Sequence, residues 1–274
     1  MLQLPAPAKL NLFLHVIGRR ADGYHDIQTL FQLLDYSDEL TFEARADKTI
    51  TVTTYNEQFD PQTNLVTLAA QQLQRQSSCQ QGANISLLKR LPLGGGLGGG
   101  SSDAATTLIG LNKLWKLGYN RDDLAKIGVK LGADVPIFVY GHTAWADGIG
   151  DVLSAVKMPD LWYLVLAPNC QVSTAAIFND EELTRNAPPI TIRAFREHGA
   201  DNSCQIVVEK RYPEVKAVRL WLSKYAAAQM TGTGSCVFAS FTDQAQAAAV
   251  LAEKPEQWRG FIARGVNKSP AYCQ

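Results

Sequence analysis

The chain has 274 residues with 26 basic against 26 acidic side chains, so it carries no net field to draw nucleic acid or an anionic membrane surface. An apolar share of 46% with a charged share of 19% fits one large or two modest packed domains and excludes a disordered chain. Five scattered cysteines, Cys79, Cys170, Cys204, Cys236 and Cys273, form no C-x-x-C, which argues against a zinc site or disulfide framework and for a reducing compartment.

From the N-terminus, residues 8–17 alternate, with Leu10, Leu12, Leu14 and Val16 on one face and Lys9, Asn11, Phe13 and His15 on the other. Taken alone this is a strand with one solvated face. Residues 18–26 read as a Gly/Asp-rich turn followed by Tyr24 and His25, residues 28–34 as apolar structure around Phe31, and residues 38–42 and 49–55 as β-rich runs. Asn64 is placed to cap a helix carrying Leu65, Leu68 and Leu73. Residues 84–87 read as a strand, and Lys89 and Arg90 follow it.

Next comes the most informative stretch, with six glycines in the seven positions 94–100. Such a run packs nothing and costs backbone entropy, so its use lies in amides that can approach a ligand and in access to positive φ. Ser101, Ser102 and Asp103 are good helix N-terminal residues, and Ala104, Leu108, Leu111 and Trp115 then recur at helical spacing. A glycine loop opening onto a helix N-terminus is an anion site. It is not a Walker A loop, because Ser101 follows Gly100 with no lysine. The pattern G-x-G-x-x-G is met trivially, and Pro92 breaks the strand-to-turn entry of a dinucleotide fold.

Residues 120–132 predict a second helix capped by Asn120. Pro136 biases its predecessor away from helix, so Asp134 is expected on a turn just past that helix's end. An acid there is not favoured by the helix dipole, so it is either a surface turn residue or a functional one. Residues 137–140 and 143–146 read as a hairpin about Gly141 and His142. Composition shifts past Gly150, and a domain boundary is expected there, giving residues 1–150 and 151–274. Residues 161–168 are the longest apolar run, fit for a buried strand and far too short for a membrane span. With no leader pattern at the start, a cytoplasmic protein is expected. Residues 184–204 are polar with no clear signal, 214–225 and 244–251 predict helices, and 260–266 a last strand. Between them, residues 231–238 form a second Gly/Ser/Thr loop running into a strand. Strands and helices interleave without repeated βαβ units, so the fold class expected is α+β.

The stretch from Pro92 to Ala105 resembles the phosphate loop of the GHMP kinase superfamily, Pro-x-x-x-Gly-Leu-Gly-Ser-Ser-Ala-Ala, with Gly99, Gly100 and Asp103 added. The expanded form is similar to the branch that phosphorylates the 2-hydroxyl of 4-diphosphocytidyl-2-C-methyl-D-erythritol. That branch usually has Ala where Gly95 stands. The resemblance spans nearly the whole chain, through Pro-Ala-Lys-Leu-Asn-Leu at 7–12, Asp-Gly-Tyr-His at 22–25, Gly-Ala-Asp-Val-Pro at 132–136 and the loop at 231–238. It implies a two-domain α+β fold, with an N-terminal ATP-binding and a C-terminal substrate-binding domain, and a small-molecule kinase using ATP with Mg²⁺. Asp134 would be the catalytic acid/base and Lys9 its catalytic partner. Asn64, Lys89, Pro92, Gly94, Gly95, Gly96, Leu97, Gly98, Gly99, Gly100, Ser101 and Ser102 would bind the nucleotide. Asn11, Tyr24, His25, Phe31, Thr174 and Phe178 would bind the cytidine-bearing substrate, with the base between Tyr24 and Phe178. No residue pattern assigns a metal ligand. The expected partner is a small molecule bearing a cytidine diphosphate group, with no nucleic acid or membrane, bound by a monomer or weak homodimer. The aromatic residues argue against the homoserine, mevalonate or sugar kinase branches.

Overall fold

A computed structural model describes residues 1–55, 60 and 63–272, so Cys273 lies outside the described residues. The chain opens with two long antiparallel strands, β1 (Leu2–Arg19) and β2 (His25–Arg45). β3 (Ile50–Tyr55), α1 (Leu65–Ser77) and β4 (Gly82–Leu88) follow, then three helices, α2 (Gly99–Leu114), α3 (Arg121–Gly128) and α4 (Val135–Tyr140). β5 (Ala144–Asp147), β6 (Val152–Ala155) and β7 (Trp162–Ala167) precede α5 (Thr174–Phe178), α6 (Ile192–His198), α7 (Gln205–Arg211) and α8 (Pro213–Leu222). The last elements are β8 (Ala228–Met230), β9 (Val237–Phe241), α9 (Gln244–Ala252) and β10 (Arg259–Val266).

The sheet is organised on β2. One edge of β2 carries β1 along its length. The other edge takes three partners in turn: β5 at residues 29–31, β10 at 33–34 and β4 at 39–45. β10 then pairs with β7, and the order runs on through β9 to β8. Helices α1 to α4 bury Ala70, Leu73, Leu108, Ile127 and Phe138 with Phe42 and Ile85 of the strands. A second core joins Val207, Val215, Val218 and Ala247 of the later helices to Leu164, Met230 and Val237.

Three expectations change. The runs at 28–34 and 38–42 belong to one strand, because Ser37 and Asp38 continue the ladder with Pro7 and Ala6 of β1. The alternation at 8–17 is broken by a register shift between Asn11 and Leu14. Lys9 and Asn11 do share a face, but Phe13 packs with Leu10 and Leu12, while Leu14 and Val16 enter the second core. β1 thus serves three buried clusters, with Leu4 and Ala6 in the first core, Ala8, Leu10, Leu12 and Phe13 in a third, and Leu14 and Val16, past the shift, in the second. The run at 137–140 is helix, not strand: Pro136 sits in the first turn of α4, where its missing N–H costs nothing, and Gly141 ends the helix at φ +72°.

Helix α2 lies close to β2 because Gly110 faces the ring of Phe42; a Cβ on Gly110 would stand 2.6 Å from that fully buried ring. Gly110→Ala is therefore expected to destabilise by about 1–3 kcal/mol through overpacking, less a helix-propensity gain of up to about 1 kcal/mol. A urea midpoint at or above wild type, at unchanged slope, would show that α2 does not rest on this contact.

Candidate active site

The glycine loop is built by β4 ending, a three-residue stem at Lys89 to Leu91, and α2 beginning. Gly96 and Gly98 adopt φ +74° and +71°, and each is also closed to a side chain by its neighbours. A Cβ on Gly96 would meet the carbonyl of Thr231, and one on Gly98 would lie 2.8 Å from Phe138. Gly98 is the N-cap, so α2 starts two glycines earlier than the serines. The first-turn amides of α2, at Gly99 and Gly100, then have no intrahelical acceptor and a smooth backbone before them.

Two straps hold the loop in shape. On one side, Lys9 N donates to Leu97 O at 3.0 Å and Lys9 Nζ to Gly96 O at 2.9 Å. On the other, Ser235 N and Cys236 N donate to Gly94 O and Gly95 O at 3.2 and 3.1 Å. Thr231 joins the two, accepting from Asn11 N at 2.9 Å and donating to Gly96 O at 3.3 Å.

Lys9 is 2% exposed, and its ammonium also meets Asn11 Oδ1 at 2.5 Å and Asp134 Oδ2 at 3.3 Å. Asp134 does not follow a helix end. α3 stops at Gly128, three turn residues intervene before Gly132, and Asp134 stands at the N-cap of α4 without capping it. The carboxylate is thus left to Lys9 and to whatever enters the cavity, and its side chain is 37% exposed.

Lys89 sits at the wall with its ammonium between Asp38 and Asp103, the latter at 2.8 Å. Asp38 also accepts from the amides of Arg90 and Leu91, at 2.5 and 2.8 Å. Asp103 is therefore not a helix N-terminal residue; four residues into α2, it bonds the stem of the loop to the helix. Burial disfavours the Lys89 charge, but the two acids outweigh it and hold its pKa above the usual lysine value. Burial, then the charge of Asp38, push Asp103 up to about 8 against the pull of Lys89.

One cavity of about 680 Å³ collects Lys9, Asn11, Asp134, the loop from Pro92 to Ser101, and Tyr24, His25, Phe31, Thr174 and Phe178. Two expected residues do not line it. Asn64 caps α1, its side chain accepting from Val66 N at 2.8 Å, and Leu65 takes the place at the wall. Ser102 is fully buried behind the loop, with an Oγ that has no hydrogen-bond partner among the described residues. At the far end, the rings of His25 and Phe178 lie 5.1 Å apart, while Tyr24 is 58% exposed at the rim. Thr174 Oγ1 lies 2.9 Å from Thr233 Oγ1. Burial first, then Arg185 and Arg19, lower the pKa of His25. Sequence reading gave no site role to Asp38, Asp103, Thr231 or Arg185: Asp103 and Thr231 stand inside motifs but their partners are distant, and Asp38 and Arg185 stand in no motif.

Among the described residues no group of three or more His, Cys, Asp or Glu forms a metal site. The oxygens at hand are the Asp134 carboxylate and the Ser101 hydroxyl, a sparse set that fits an ion carried mainly by phosphate oxygens and water.

The family model for the GHMP kinases N terminal domain matches residues 64–142, and that for the GHMP kinases C terminal domain residues 182–260. The chain is 53% identical over 268 residues to the 4-diphosphocytidyl-2-C-methyl-D-erythritol kinase of Pseudomonas aeruginosa strain UCBPP-PA14, covering 98% of this chain and 95% of that one. It is 54% identical to its namesake in Pseudomonas syringae pv. syringae strain B728a, with the same coverage. The chain belongs to the 4-diphosphocytidyl-2-C-methyl-D-erythritol kinase family of the GHMP kinases. A crystal structure of 4-(cytidine 5'-diphospho)-2C-methyl-D-erythritol kinase superposes with a TM-score of 0.85 at 30% identity, over 97% of this chain and all of that one. The mevalonate kinase of Methanococcus jannaschii shares the fold alone, with a TM-score of 0.70 at 15% identity over 97% of this chain and 98% of that one. The α+β fold and the small-molecule kinase class stand as expected. No helix among the described residues is long and apolar enough to cross a membrane.

The Asp103 carboxyl yields a test of the clamp beneath the loop. Between about pH 4 and about pH 8 the folded chain keeps a proton there that the unfolded chain, at 3.8, has released. Stability from this group therefore falls as pH rises through that window. Asp103→Asn removes the titration, so its urea midpoint is expected to vary less between pH 5 and 8 than that of wild type; equal slopes would place the carboxyl's pKa elsewhere.

Proposed function

We propose that this kinase transfers the γ-phosphoryl group of ATP to the 2-hydroxyl of 4-diphosphocytidyl-2-C-methyl-D-erythritol, giving the 2-phosphate and ADP, in the non-mevalonate route to isoprenoid precursors. The observation that carries the reading is the Lys9–Asp134 pair at 3.3 Å, set between the glycine loop and the His25–Phe178 end of a single cavity.

In this reading residues 1–150 hold ATP. Amides from Gly94 to Ser101 take the polyphosphate charge, with the dipole of α2 behind them. Leu65, Pro92 and the stem of Lys89 border the rest of the nucleotide, and Asn64 holds α1 in place beside it. Residues 151–274 bring Thr174 and Phe178 to a substrate whose cytosine also meets Tyr24 and His25 from the first segment. Asn11 and Phe31 fix Lys9, the first by a hydrogen bond and the second by its ring face 5.4 Å away.

The 2-hydroxyl lies between Asp134 and the γ-phosphorus. Phosphoryl transfer is loose, so the hydroxyl proton leaves late, as the new P–O bond forms. Asp134 orients that hydroxyl and accepts its proton, and the Lys9 ammonium steadies the forming alkoxide. Mg²⁺ brought with ATP, held by Ser101 and Asp134 directly or through water, would neutralise charge on the transferred group. The enzyme works in the cytoplasm as a monomer or weak homodimer.

Asp134→Asn keeps the shape and removes the charge. Turnover in an ADP-release assay is expected to fall by about 10²- to 10⁴-fold with little change in KM for either substrate. Turnover within threefold of wild type would rule out Asp134 as the proton acceptor.

The cytosine end is tested by substrate choice. A uridine analogue is expected to lose at least about tenfold in kcat/KM, because a donor and an acceptor on the base edge exchange roles. Tyr24→Ala and Phe178→Ala each remove a stacking face worth about 1–3 kcal/mol, leaving ATP affinity unchanged. Equal use of the two nucleobases would return the chain to the general small-molecule kinases.

A further inference from the structure

Arg185 lies in the signal-poor stretch 184–204, yet its guanidinium organises the far end of the cavity. Nε donates to His25 Nε2 at 3.1 Å. Nη2 donates to Phe178 O at 2.9 Å and Asp180 O at 2.7 Å, and Nη1 to Leu183 O at 3.2 Å. These carbonyls are at and just beyond the C-terminal end of α5, where a cation is favoured. Among the described residues no acid pairs with Arg185, and its four acceptors are all neutral.

A guanidinium can only donate. His25 Nε2 must therefore accept, which leaves the ring neutral with its proton on Nδ1. His25 is 6% exposed and lines the cavity, and Nδ1 has no hydrogen-bond partner among the described residues. The ring thus turns one defined group, an N–H donor, toward a ligand. We propose that Arg185 is a specificity-positioning residue, which locks His25 as the Nδ1–H tautomer and ties it to the backbone that carries Phe178. Such a donor matches the ring-nitrogen acceptor of cytosine, which in uracil is itself protonated. The selectivity part of this proposal rests on the cytosine reading above; the tautomer part does not.

The charged groups acting on the ring agree with it. Arg185 from the C-terminal segment and Arg19 from β1 both add to burial in keeping the imidazole unprotonated. Loss of Arg185 frees Nε2 to take the proton and relieves part of that repulsion.

The test is ¹⁵N NMR of histidine-labelled, substrate-free enzyme, with kinetics on the same samples. Wild type is expected to show His25 in the Nδ1–H form with a pKa below 6.5. In Arg185→Leu the Nε2–H form should appear and the pKa rise. Its kcat/KM for the cytidine substrate should fall by about five- to tenfold or more, chiefly through KM, with the KM for ATP unchanged and cytidine-over-uridine preference reduced. Arg185→Lys keeps a donor for Nε2 but not the fork, so it should retain the tautomer and most of the preference. An Nε2–H tautomer in wild type would overturn the proposal, as would an Arg185→Leu variant whose tautomer and base preference match wild type. If wild type shows the Nδ1–H form but uses both nucleobases equally, the cytosine reading and the selectivity role fall together, while the tautomer lock stands.

Discussion

A buried ammonium has to be surrounded by oxygen, and most of this site follows from how Lys9 meets that demand. Removing it from water costs several kcal/mol unless donors are matched by acceptors. Its three partners come from three places: the carbonyl of Gly96, the side chain of Asn11 and the carboxylate of Asp134. The phosphate loop, the first strand and the start of α4 are thereby held at one point. Asn11 is in turn fixed by Thr29 and Thr231, so the second Gly/Ser/Thr loop joins the same network. Positioning of this kind is what phosphoryl transfer requires of a protein, since little covalent chemistry is left for side chains to do.

The glycine loop was legible in the sequence because its use is local. A run of six glycines leading into a helix can be explained by close approach and positive φ within a dozen residues, and Gly96 and Gly98 show both. The motifs also led to the cavity: Lys9, Asp134 and His25 were named from short patterns, Phe178 from the family resemblance alone, and the four meet there. Alternation identified β1, but not its bulge, because a register shift is decided by which core each half of the strand must fill. Pro136 misled about Asp134 for a related reason. A proline limits the residue before it, yet it also opens helices, and only the packing of an all-apolar hexapeptide against α2 and α3 selects the second use.

Residues that act through distant partners left no local mark. Asp38 and Asp103 stand 65 positions apart and meet on one ammonium. Arg185 is 160 positions from the imidazole it holds. Asp38 and Arg185 are ordinary charged residues in their own windows, Asp103 reads there as a helix N-terminal residue, and the value of each comes from the tertiary fold that removes competing water. The clamp on Lys89 and the lock on His25 differ in kind: the first steadies a loop from beneath, the second defines which atom faces a ligand.

The seam between the two halves of the sheet is made by β10, which pairs with β2 on one side and β7 on the other. Every motif of the cavity precedes β10 in the chain. A growing polypeptide therefore carries its complete phosphate loop, its Lys9–Asp134 pair and its aromatic end well before the strand that sets the halves side by side has left the ribosome. The chemistry is encoded early and the alignment late, so a nascent chain halted just short of residue 259 would hold all the reacting groups without the ladder that registers them.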